Sequence, residues 1–109
     1  MSDPIDGVFA ALADPTRRAI LARLATSDAT AGELAAAFPI TPQAVSKHLN
    51  VLEAAGLITR TREAQWRRCR IVPSALQTVA AWAEQYRRLW EERYDTLGQY
   101  LTDLQRETP

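Results

Sequence analysis

The chain has 109 residues, 47% of them hydrophobic, with 13 Lys and Arg against 13 Asp and Glu. This composition describes one folded domain with a modest core rather than a disordered segment. No apolar run approaches the roughly 20 residues that cross a bilayer, the acidic opening MSDPIDG has no signal-peptide core, and the lone Cys69 rules out an internal disulfide framework and fits a reducing cytoplasm.

Asp3 to Leu12 reads as a short amphipathic helix with Ile5, Val8, Phe9 and Leu12 on one side. Asp14-Pro15 supplies a fresh cap and a first-turn proline, so a second helix runs from about Pro15 to Ala25. Its Ala19, Ile20, Leu21 and Leu24 are broad enough for a core face. Arg17 and Arg18 lie near its start, where the helix dipole disfavours cations. Solvated charge and phosphate contact both suit such a pair; the unfavourable local placement tilts the reading toward phosphate. Ser27-Asp28 makes a turn, and Thr30 caps a helix from about Ala31 to Phe38, with Glu33 completing a capping box. Leu34, Ala35 and Phe38 face inward, Pro39 ends the helix, and Ile40 can staple the next one against Val45 or Ala44.

Thr41 caps that next helix, and Pro42 suits its first position, where a missing N–H costs nothing. Val45, Leu49 and Leu52 fall at i, i+4 and i+7, one buried stripe, and Gly56 marks the end before Leu57 and Ile58. What remains outward is Gln43, Ala44, Ser46, Lys47, His48 and Asn50, with no acid before Glu53. A helix entering the major groove needs such a face, because acids repel phosphates and amides pair with base edges. With Thr41 at its start, this set is the candidate DNA-reading surface of a recognition helix over 42–55. Two helices joined by a very short turn make the helix-turn-helix arrangement.

After Gly56 the period switches. Leu57 to Arg62 alternates, Glu63-Ala64-Gln65 forms a turn without the usual glycine, and Trp66 to Val72 is a second strand. The hairpin carries Arg60, Arg62, Arg67, Arg68 and Arg70; alternation puts Arg68 and Arg70 on one face and Arg67, Cys69 and Ile71 on the other. Beside a recognition helix such a hairpin is a wing, with arginines suited to phosphates or a narrow minor groove. A solvated edge hairpin protected by its charge is the plainer reading. Charge distribution supports the wing: residues 41–72 hold six cations against two anions, whereas the segments on either side are each net acidic.

Pro73-Ser74 starts a final helix that runs to about Gln105. Trp82, Tyr86, Leu89, Trp90, Leu97, Leu101 and Leu104 keep helical spacing along it, more apolar surface than so small a body covers. A symmetric homodimer supplies the missing surface, with Phe9 of the first helix joining the seam. A ligand pocket in the same aromatic region is the less common use of such a stripe.

The segments ADPTRRAILARL (13–24), TAGELAAAF (30–38), TPQAVSKHLNVLEAAGLI (41–58) and WRRCRIVPSAL (66–76) resemble the ArsR/SmtB family of winged-helix repressors. The late WAEQYRRLWEERYDTLGQYL (82–101) resembles a branch without the family's metal-sensing sites, described as autorepressor-like. The resemblance implies a homodimer on a short inverted repeat near a promoter, repressing and released by a small-molecule inducer. It puts Gln43, Ser46, Lys47 and His48 at bases or nearby phosphates, and Arg62, Arg67 and Arg68 in the wing. Metal-sensing members place a Cys-x-Cys pair where this chain reads AGELAAAF, or Asp and His pairs in a last helix that here has no histidine. One Cys and one His cannot furnish a soft three- or four-ligand site in a protomer, so neither metal nor cofactor is expected. Cys69 as a redox switch would lack a resolving thiol.

The expectation is therefore a mainly α, single-domain winged helix-turn-helix over 1–109. The helix-turn-helix spans about 30–56, the wing 57–72 and the dimerisation helix 73–105. Its partners are double-stranded DNA and a second copy, with no membrane. The alternative is a winged-helix module used only for protein–protein contact, which leaves the acid-poor face of 43–50 without a purpose. No Ser/His/Asp set, carboxylate pair or Gly-rich phosphate loop suggests an enzyme.

Overall fold

The computed structural model describes residues 3–63 and 66–107, in the order α1 (Pro4–Leu12), α2 (Pro15–Leu24), β1 (Ala29–Thr30), α3 (Ala31–Ala37), α4 (Pro42–Ala54), β2 (Ile58–Glu63), β3 (Trp66–Ile71) and α5 (Pro73–Glu107). Each early helix begins where its cap dictates. Asp3, Asp14, Thr30 and Thr41 sit in extended backbone, and each side chain accepts an N–H of the first turn that has no intrahelical partner. Thr30 and Glu33 form the reciprocal capping box.

α3 stops at Ala37, one residue short of the expected Phe38. Proline disfavours helical backbone at the residue before it, and Phe38, preceding Pro39, is extended. α4 ends in a Schellman motif. Gly56, at φ +78°, donates to the Glu53 carbonyl, and the Leu57 N–H reaches back to that of Leu52. Leu52 and Leu57, both buried, supply the apolar contact that accompanies this motif.

The chain divides after Val79 into two compact units. In the first, Val8 and Ala11 of α1, Ile20, Leu21 and Leu24 of α2, Leu34 of α3 and Val45, Leu49 and Leu52 of α4 share one core with Ala29, Leu57, Ile58 and Cys69. The expected stripe of α4 is the buried one. Ala19, counted above with the core face of α2, is exposed. Leu76 and Val79, in the first turns of α5, pack against this core.

The sheet has three antiparallel strands in the order β1-β3-β2, one more than the hairpin alone. β1 pairs Ala29 with Cys69 and Thr30 with Arg68, in a stretch read above as a turn followed by a cap. Two residues are too few to show a period. β2 and β3 pair from Ile58–Ile71 to Glu63–Trp66, so Glu63, expected in the turn, is the last residue of β2; the rest of the expected turn, Ala64 and Gln65, lies outside the described residues.

The second unit is the remainder of α5. No residue of it is buried, and Tyr86, Leu89, Trp90, Tyr94, Leu97 and Leu101 are all exposed. The Trp82 and Tyr86 rings lie 5.2 Å apart, and Arg87 pairs with Glu84 and Glu91 along the helix surface. None of the described helices is long and apolar enough to cross a membrane.

Candidate nucleic-acid interface

On α4, Gln43, Ser46, Lys47 and Asn50 stand at i, i+3, i+4 and i+7, so they share one face, and all four are exposed. Two helical turns separate the first from the last, about 10 Å of contact length. Ala44 and His48 form the flank of this face and are half-buried. Thr41 accepts the Ala44 N–H at 3.1 Å and holds the helix start.

Asn50 has a second engagement. Its Oδ1 accepts from Arg60 Nη2 at 2.8 Å, and the same nitrogen donates to Glu53 Oε1 at 2.8 Å. The Arg60 side chain is only 17% exposed. It therefore clips the root of β2 onto α4, and its hydrogen bond holds the Glu53 carboxyl below the usual glutamate range. The one acid on α4 is accounted for by this clip. Sequence reading counted Arg60 among five wing cations and missed the pairing; an isolated acid beside an otherwise acid-free face was the available signal.

The ladder separates the other wing cations. Arg60, Arg62, Arg67 and Cys69 share one face, and Arg68 lies on the other with Thr61, Glu63 and Trp66. Cys69 is wholly buried, and burial pushes its thiol up. Arg68 is half-buried and 3.5 Å from Glu63, while Arg70 is held by Asp28 at 3.0 Å. Arg62 and Arg67 face each other directly across the strands and, with Glu53, Arg60 and Thr61, line a shallow polar groove of about 280 Å³. Like charges placed opposite one another destabilise a hairpin, and an anion bound between them offsets that. Among the described residues the side chains of Arg62, Arg67 and Lys47 make no hydrogen bond or salt bridge, though Arg67 lies close enough to Glu53 to help hold its carboxyl down.

Arg17 and Arg18 are both engaged with the end of α1, and Arg17 also reaches the flank of the α4 face, its Nη1 3.4 Å from His48 Nδ1. Arg17 donates from Nε to the Ala11 carbonyl at 2.6 Å and from Nη2 to that of Ala10 at 3.1 Å, while Arg18 Nη1 donates to Leu12 at 2.7 Å. Both guanidinium groups thus satisfy the last carbonyls of α1. Their position at the start of α2 looked unfavourable because a single helix was considered. In the fold they lie at the negative end of its neighbour, where cations stabilise. Arg17 is half-buried in this role; Arg18 remains exposed. Of the seam candidates, Phe9 on α1 is half-buried, and Trp82, Tyr86, Leu89, Trp90, Leu97 and Leu101 lie exposed on α5.

A helix-turn-helix domain family matches residues 12–61, the span from the end of α1 into the wing. The transcriptional repressor SdpR of Bacillus subtilis is 38% identical over 78 residues, 72% of this chain and 87% of SdpR. The crystal structure of an ArsR family transcriptional regulator superposes with a TM-score of 0.75 at 39% identity, over 82% of this chain and 98% of that one. The chain belongs to the ArsR family. An ArsR-like regulator from Rhodococcus sp. RHA1 extends the match to 89% of this chain and 92% of its own, at 35% identity and a TM-score of 0.71. As an ArsR-family winged helix-turn-helix protein it is a DNA-binding transcriptional regulator.

Proposed function

We propose that the chain acts as a homodimeric repressor, laying two copies of α4 in successive major grooves of a short inverted repeat. The observation that carries this reading is the α4 face. Gln43, Ser46 and Lys47 are exposed in a row, and Lys47, Arg62 and Arg67 are exposed cations whose side chains make no hydrogen bond or salt bridge among the described residues. Amide and hydroxyl groups there read base edges while the cations hold phosphates. The exposed apolar residues Tyr86, Leu89, Trp90, Tyr94, Leu97 and Leu101 support self-association through α5, since a lone helix surface so apolar is unfavourable in water. Repression is supported by SdpR, which bears that description. The whole chain then works as one regulator, with 1–79 reading DNA and 80–109 joining two copies about half-sites roughly 34–36 Å apart.

The test is fluorescence anisotropy on DNA from upstream of the chain's own gene, titrated against a scrambled duplex at two salt concentrations, with sedimentation in parallel. Tight, salt-sensitive and selective binding by a dimer is expected. Gln43→Ala and Lys47→Ala should each reduce discrimination by about 1–3 kcal/mol where a base contact is lost. Unchanged specificity in both variants removes these side chains from base reading.

A further inference from the structure

His48 is the chain's one histidine, and it stands on the flank of the reading face rather than in its centre. Its Nδ1 lies 3.4 Å from Arg17 Nη1 and 3.9 Å from Asp14 Oδ2. A guanidinium has donors and no acceptor. A ring nitrogen within hydrogen-bond reach of it must therefore present a lone pair, which leaves the proton of the neutral ring on Nε2. Asp14 faces the same nitrogen as a charge and not as a hydrogen-bond partner. It is beyond hydrogen-bond distance, and its Oδ2 already accepts the Arg17 N–H at 3.0 Å as the cap of α2. Arg17 is held in turn by the Ala10 and Ala11 carbonyls, so Nη1 is the nitrogen left to face the ring.

The other ring nitrogen can be placed by elimination. No buried side-chain nitrogen or oxygen of a non-exposed residue lacks a hydrogen-bond partner among the described residues. His48 is half-buried and its Nε2 has no such partner, so Nε2 reaches solvent.

We infer that Arg17 is a positioning residue that locks His48 in its Nε2–H form, making His48 a one-way donor aimed at an acceptor on the DNA. The inference rests on the reading of α4 as the recognition helix. It specifies what that histidine accepts as a partner: a purine N7, a guanine or thymine carbonyl, or a phosphate oxygen, and not an amino group of adenine or cytosine. It also gives Arg17 a part in recognition without DNA contact, through a side chain whose other bonds secure α1.

One ¹⁵N-histidine label gives a two-nitrogen spectrum that needs no assignment, since the chain has a single imidazole. With the ring neutral, long-range ¹H–¹⁵N correlation of the free protein should show Nδ1 unprotonated and Nε2 protonated. Arg17→Met should move the spectrum toward a mixture of tautomers, whereas Asp14→Asn, which keeps a competent cap, should leave it unchanged. A protonated Nδ1 in the parent protein, or an Arg17→Met spectrum identical to it, overturns the lock. Binding is then measured on a duplex selected by the protein from a random-sequence library. His48→Phe keeps the ring and removes the donor, and should weaken binding about fivefold, the worth of one hydrogen bond; His48→Gln, whose amide retains a donor, should recover part of it. Loss confined to the selected duplex identifies a base acceptor, and equal loss on a scrambled duplex identifies a phosphate. No loss in His48→Phe refutes the donor. If the parent protein binds no duplex selectively, the recognition reading fails while the tautomer measurement still decides the role of Arg17.

Discussion

Arg60 on β2 donates to Glu53 on α4 at 2.8 Å, and this bond joins the wing to α4. Arg60→Ala should destabilise the fold by about 1–2 kcal/mol at neutral pH, the worth of a charge-assisted bond with one partner well exposed. The effect should depend on pH in a defined sense. Glu53 titrates lower in the folded chain than in the unfolded one, chiefly because of the Arg60 hydrogen bond, so near that pH the unfolded state binds more protons. The pair's contribution is full above the ordinary glutamate range and fades as pH falls through the folded-state value. Urea titrations at pH 7 and at pH 3.5 should show the gap between parent and variant narrowing on acidification; a constant gap would locate the cost in packing instead.

Arg67→Ala should separate stability from function. Removing one of two directly opposed cations relieves repulsion in the hairpin, so thermal stability is expected to hold or rise slightly. DNA affinity should fall, and the dependence of log K on log salt should lose a slope of about 0.9, one phosphate contact. A variant with unaltered slope would take Arg67 off the phosphate backbone.

Trp90 is 59% exposed in the chain taken alone. Trp90→Ala should therefore leave helical content unaltered while weakening self-association by about 2 kcal/mol, some thirtyfold in Kd. Analytical ultracentrifugation reads this directly. A monomeric parent protein at micromolar concentration would dispose of the dimer.

Cys69 should be chemically silent in the native state. Its side chain is wholly enclosed and burial raises its thiol, so little thiolate is accessible to react. A thiol reagent at pH 8 should modify it only in urea, at a rate tracking unfolding. Rapid modification of the native protein would restore the redox switch.

The elements legible in the sequence were those whose signals lie within a few residues of one another. Thr41, Pro42 and Gly56 bracket α4, and the Val45–Leu49–Leu52 stripe sets its buried side, so the outward face carrying Gln43, Ser46 and Lys47 follows from local period alone. Alternation likewise placed Arg67, Cys69 and Ile71 on one face of the wing, opposite Arg68 and Arg70. The tertiary structure decided what depends on groups far apart in the chain. Arg17 meets His48 across 31 residues and Arg70 meets Asp28 across 42, and no caps or periods encode such meetings. Nor could they show that Arg17 and Arg18 serve the end of α1, that Asn50 and Glu53 share Arg60, or that two residues at Ala29–Thr30 extend the sheet. Local propensity decides which residues face outward; only the packed fold decides which of those already have a partner and which charges remain open to solvent.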